Sequence, residues 1–198
     1  MTRFASIAMS ALALQLVASS GSAGIHTWDV SEVFSDASGT IQYVELVEFN
    51  GTAGEVNVGN GQITSGAGAY SWSNGAVTGP TSNKFYLIAT PGFAALPGAP
   101  TPDATMMPNS FVNVAGDSIA FGTYDTCVTP ALPTDGSTAY NCKSSSNVAN
   151  SPTNYAGVTG SVTVVAAPTM APTAMWLMVG LMVLASLAYA LRRRPATA

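Results

Sequence analysis

Few side chains in this sequence have types and spacings suited to chemistry. The two cysteines, Cys127 and Cys142, are fifteen positions apart. In an oxidising compartment a single pair of this kind is expected to form a disulfide, and closing a loop of that size stabilises a fold by about 3 kcal/mol in the chain-entropy model. A zinc-type site would need more ligands, and the sole histidine, His26, is about a hundred residues away. No serine sits in a Gly-x-Ser-x-Gly elbow. His26, beside Trp28, therefore reads as an exposed residue near a mature N-terminus rather than as a catalytic base.

The ten acids deserve a separate reading, because glycoside hydrolysis needs only two carboxyls. Glu45 and Glu48 are three apart on one extended segment, so their side chains point to opposite faces. Glu32 or Asp29 could instead meet Glu45 across a strand pair. Solvated or capping carboxylates are the expectation, with hydrolysis ranked third among the functions considered. The Asp36-Ala37-Ser38-Gly39 turn has the oxygen-rich look of a calcium loop but supplies one carboxylate, and Asp plus Gly are ordinary turn formers. Gly59-Asn60-Gly61 and Gly66-Ala67-Gly68 lack the Gly-Lys-Ser/Thr of a phosphate loop and read as hairpin turns. Tyr70 and Trp72 read either as a sugar platform or, more commonly for such residues, as core aromatics. No catalytic, cofactor-binding or metal residue is assigned. All ten acids fall between Gly24 and Met170, where the only bases are Lys84 and Lys143. That charge repels phosphate backbones and excludes nucleic acid as a partner.

The elements that must position these residues are short strands. Thr27 to Phe34 and Ile41 to Phe49 read as the first two, with shorter ones at Glu55 to Val58 and Gln62 to Thr64. Lys84 to Thr90 contains an unbroken apolar run, as expected of a central strand buried on both faces. Ser118 to Thr123 and Ser161 to Val165 follow. Pro91 to Pro108 and Pro130 to Tyr140 read as irregular loops, with one helical turn at Phe93 to Leu96. No long stretch between residues 25 and 165 keeps a 3.6-residue period free of Gly or Pro. The pattern predicts a mainly β fold, a single β-sandwich over residues 25–165.

The two ends differ from this middle. Met1 to Gly24 has a basic start, an apolar run from Phe4 to Ala18 and a close in small residues. It is read as a signal peptide with a helical core, cut after Ala23 or Gly24 by signal peptidase. Residues 174–191 carry no charge. At ~1.5 Å per residue they would span about 27 Å, close to a bilayer's hydrocarbon thickness, so they read as a transmembrane helix. Arg192, Arg193 and Arg194 follow in a cytoplasmic tail, residues 192–198, which would place the domain on the outer side.

Two resemblances go beyond residue patterning. The stretch Ala167-Pro168-Thr169-Met170-Ala171-Pro172-Thr173, followed by a membrane segment and an arginine cluster, resembles the bacterial PEP-CTERM and IPTL-CTERM sorting signals. Pro168-Thr169-Met170 aligns with the Pro-Thr-Leu of the second type, and the Glu of Pro-Glu-Pro is absent. The resemblance implies that residues 166–173, with Pro168, Thr169, Met170 and Pro172, are a sorting motif read by an exosortase-like transpeptidase. The domain is similar to bacterial lamin-tail-like domains in three segments, Val33 to Leu46, Gly116 to Asp125 and Ser151 to Gly157. That similarity implies an immunoglobulin-like sandwich serving as an accessory or surface module. Together these readings predict a non-enzymatic exported envelope or extracellular-matrix protein with no cofactor, whose β-domain is structural or adhesive. The alternative is a module that binds carbohydrate or another surface polymer.

Overall fold

The structure, a computed structural model, describes residues 24–164, 180–186 and 189. Within these residues the chain is mainly β, built as two antiparallel sheets. The strands are β1 (Trp28–Ser35), β2 (Gln42–Glu48), β3 (Gln62–Ser65), β4 (Gly68–Ser71), β5 (Phe85–Ala89), β6 (Asp117–Phe121), β7 (Asp125–Thr129), β8 (Thr138–Asn141) and β9 (Ser146–Ala149). One sheet has the order β5-β2-β1-β8-β9 and the other β4-β3-β6-β7. The expected signal segment, the motif from Pro168 to Pro172 and Arg192 to Arg194 lie outside the described residues. Of the expected membrane helix, residues 180–186 and 189 are helical. Among the described residues no helix is long and apolar enough to cross a membrane.

Alternation along the strands explains the layering, because successive side chains point to opposite faces. Trp28, Val30 and Val33 of β1, Val44 and Leu46 of β2, and Tyr86 and Ile88 of β5 face inward. They meet Ile63, Ile119, Phe121 and Cys127 of the second sheet in the main core. The opposite face of the five-stranded sheet is covered too. Phe34, Tyr43, Leu87, Ala89 and Ala139 form a second cluster there with Phe93 and Val162. Phe93 comes from a helical turn, α1 (Pro91–Ala94), whose N-cap Thr90 accepts a hydrogen bond from Phe93 N at 3.3 Å. Gly61 is needed where it stands, since a Cβ there would lie 2.4 Å from Cζ2 of Trp72.

Several expected elements are different in kind. Glu55 to Val58 is not a strand; a 3-10 turn runs over Val56–Gly59. The two buried indoles anchor it, with Trp28 Nε1 donating to the carbonyl of its N-cap, Glu55, at 2.9 Å and Trp72 Nε1 to Val58 O at 2.7 Å. Gly59-Asn60-Gly61 accordingly ends that turn, whereas Gly66-Ala67 does join the β3–β4 hairpin. β5 is an edge strand, not a central one. The Pro-rich loop supplies the cover a central strand would have had. Ala104 and Asp103 N–H groups donate to Leu87 O, and Ala89 N donates to Ala104 O. The second expected loop contains the start of β8, and residues 161–164 are irregular chain pinned by Val164 N to Gly136 O at 2.8 Å.

Candidate functional site

The acids are not mainly solvated. Every one except Asp29 accepts at least one backbone N–H. With so few cations in the domain, backbone donors stand where counterions would, and a bond to an ionised carboxylate is stronger than a neutral one. Asp29 is the exception, paired with Lys143 at 2.6 Å.

The densest arrangement of these acids lies on the outer face of the five-stranded sheet. A β-bulge at Ser31 shifts the β1–β2 register so that Glu32 is directly opposite Glu45. Asp29, the other candidate for that meeting, pairs with Val47 instead. Both glutamates are almost fully buried, at 2 % and 3 % exposure. A strap formed by Ser151 to Thr159 crosses above them. Ser151 N donates to Glu32 Oε1 at 2.9 Å and Ser151 Oγ to Glu32 Oε2 at 3.1 Å, while Thr153 N donates to Glu45 Oε2 at 2.7 Å. The Tyr43 hydroxyl also donates to Glu32. Farther along, Asp103 Oδ2 accepts from Leu87 N at 2.8 Å and Tyr155 N at 2.9 Å, tying the strap to β5.

Burial raises the Glu45 carboxyl to about 8, and the charge of Glu32 pushes in the same direction; bonds from Thr153 N–H and Ser31 oppose the rise. Burial and Glu32 likewise hold the Tyr43 phenol well above its ordinary value. At neutral pH Glu45 is therefore a neutral carboxylic acid facing Glu32. An open groove of about 360 Å³ adjoins the pair, with Phe49, Phe85, Asn141, Lys143 and Thr159 among its walls.

The other sequence-derived candidates fall elsewhere. Cys127 and Cys142 form a disulfide, with Cα atoms 5.7 Å apart. Since Cys127 is on β7 and Cys142 follows β8, the bond joins the two sheets. Trp72 is a core residue, stacked between Tyr86 and Phe121 at centroid distances of 5.8 and 6.2 Å. Tyr70 is half-buried, its hydroxyl accepting from Met106 N at 3.2 Å. Glu45 and Glu48 do use opposite faces, and Glu48 holds Thr27 Oγ1 at 2.8 Å and Asn83 N at 3.1 Å. Asp36 closes its own turn by accepting from Ile41 N at 3.0 Å. His26 is exposed and meets Tyr124 edge-on at 5.1 Å.

Sequence reasoning missed Gln42, whose amide is wholly buried. It donates to Val112 O at 2.8 Å and accepts from Val112 N at 3.1 Å, fastening the chain before β6. A polar residue inside the apolar β2 run was the available signal. No family model, curated protein or solved structure matches the chain.

Proposed function

We propose that the chain is an exported envelope or extracellular-matrix protein whose β-domain is a non-enzymatic structural or adhesive module. The observation that carries this reading is the inter-sheet disulfide, a bond that persists in oxidising compartments. The glutamate pair supports it as well. Its oxygens are spent on holding Ser151 and Thr153, a use in fixing the chain rather than in attacking a substrate. The immunoglobulin-like, lamin-tail-like character of the sandwich, the membrane helix at 174–191, the stop at Arg192 to Arg194 and sorting through Pro168, Thr169, Met170 and Pro172 are all parts of the same proposal.

Intact-mass analysis of the protein from each cell fraction tests it. The expected result is loss of the first 23 or 24 residues everywhere and loss of the C-terminal tail in released protein. Protein that keeps Met1 defeats export, and a full tail in every fraction leaves simple anchoring in place of sorting.

A second reading, recognition of a surface polysaccharide, rests on a groove that includes Trp72 but not Tyr70. Asn60, Gln62, Ser71, Trp72 and Tyr124 line an open groove of about 410 Å³. Tyr124→Ala should abolish glycan retention while preserving the melting temperature; unchanged retention rejects the reading.

A further inference from the structure

Glu55 is a buried carboxylate that forms no ion pair among the described residues. Its neighbours hold it from several sides. The His26 and Thr27 N–H groups donate to Oε2, Glu55 N donates to Thr81 Oγ1 at 3.1 Å, and its carbonyl takes the Trp28 indole. Its carboxylate is pressed against Gly24: a Cβ on that glycine would lie 2.2 Å from Oε1 and 2.8 Å from Oε2. Gly24 is itself buried, and its nitrogen donates to Gly54 O at 3.0 Å. Gly24 carbonyl oxygen is also used, accepting from Asn57 N at 2.9 Å. A carboxylate, a carbonyl oxygen and a buried nitrogen thus converge where the signal-peptide reading places the cut.

We propose that signal peptidase cuts between Ala23 and Gly24, and that the α-ammonium so created docks between the Glu55 carboxylate and the Gly54 carbonyl. This inference rests on the export reading and deepens it. Hydrolysis adds one water across the Ala23–Gly24 amide: the hydroxyl goes to the Ala23 carbonyl, and the Gly24 nitrogen leaves as an amine that takes up a proton. The carboxylate, held by neutral N–H donors alone among the described residues, then gains a cation, so removal of the leader completes the fold. The geometry also chooses between the two cuts that small residues permit. A cut after Gly24 would remove both the nitrogen that reaches Gly54 O and the carbonyl that accepts from Asn57 N.

The sign of the pH dependence follows. An ammonium gaining a carboxylate partner is held more tightly in the folded state, so its stabilisation is complete below the ordinary α-amino value of about 8 and is lost as pH rises through the higher folded value.

The test compares the otherwise complete chain beginning at Gly24, in detergent, with the same chain Nα-acetylated. Acetylation should raise the unfolding equilibrium constant at least tenfold at pH 6, and the difference should vanish above pH 10. Glu55→Gln should remove the acetylation effect. If that variant does not fold, NMR titration of the α-amine in the unaltered chain decides instead, and a midpoint at or below about 8 overturns the proposal. Equal stability of free and acetylated chains also overturns it. Mass analysis of exported protein separates the two levels. A start at Ile25 rejects this docking and leaves export standing, whereas a start at Met1 rejects both.

Discussion

The two faces of the five-stranded sheet are closed in different ways. The inner face is covered by another sheet through Trp28, Val44, Leu46, Trp72, Tyr86 and Phe121, and a covalent bond holds the two layers together. Among the described residues the outer face has no second sheet. Its apolar half is covered by α1 and by Val162, and its polar half by a strap fastened to Glu32, Glu45 and Asp103. Burial by packing costs no charge desolvation and is indifferent to pH. Burial by carboxyl fastening holds irregular chain in place, yet makes that half of the domain sensitive to protons.

The largest difference between the faces should appear on emptying the inner core. Trp72→Ala removes an indole stacked on two rings and leaves Val58 O without its donor. A loss of about 3–5 kcal/mol is expected, read from urea unfolding and unchanged between pH 5 and 9. Replacing both cysteines by alanine should cost about 3 kcal/mol for a bridge spanning 15 residues. The same measurement on native protein with and without reductant checks it, and equal midpoints would show that the bridge adds nothing.

What the sequence revealed tracks the same division. β1, β2, β5 and β6 were legible because their inward positions are apolar and their turns carry Gly, Asn or Asp. β7, β8 and β9 were not. Val128 of β7 is 70 % exposed, and β9 presents mostly exposed residues, so neither shows the alternation that betrays a half-buried strand. The apolar run in β5 read as central because sequence cannot distinguish cover by a strand from cover by the Ala104 segment. The meeting of Glu32 with Glu45 was in view as one of two pairings, but the bulge at Ser31 that decides it has no signature in residue type. The strap was invisible for a related reason. Its fastenings to Glu32 and Glu45 join residues over a hundred positions apart, and they rest mainly on backbone N–H groups that every residue possesses.

The outer face yields a prediction of opposite sign. Because the folded state raises the Glu45 carboxyl from 4.5 to about 8, its protonated form contributes stability that is complete below about 4.5 and lost as pH rises toward 8. Glu45→Gln copies the neutral form and can still accept from Thr153 N. It should leave the melting temperature nearly unchanged at pH 4 and raise it at pH 9. The strap can open locally and hydrate both carboxylates, so the gain is capped at the cost of that opening, on the order of 1–2 kcal/mol. Hydrogen exchange at Ser151 and Thr153, corrected for intrinsic rates, should quicken above pH 8 in the wild type only. A flat wild-type profile would reject the proton-sensitive account of this face.

The smallest effect belongs to the Lys143 ion pairs just after β8. Lys143 Nζ lies 2.6 Å from Asp29 and 3.8 Å from Asp125, and 5.6 Å from the centre of the exposed Phe49 ring. Its side chain is 32 % exposed and that of Asp29 23 %, so water screens the attraction. Lys143→Met keeps the apolar stem over Phe49 and removes the charge. The expected loss is about 0.5 kcal/mol, in the range of exposed pairs. Asp125 should stay in place without the lysine, because it also accepts from Val30 N at 2.7 Å beside the β1 bulge. Ionic strength separates this contact from both others. In 1 M salt, where the screening length falls to about 3 Å, wild type and Lys143→Met should unfold at the same urea concentration. The Trp72 and disulfide effects should keep their size there, being neither coulombic nor screened. A Lys143→Met deficit that persists in 1 M salt would mean that the stem, rather than the charge, secures this contact.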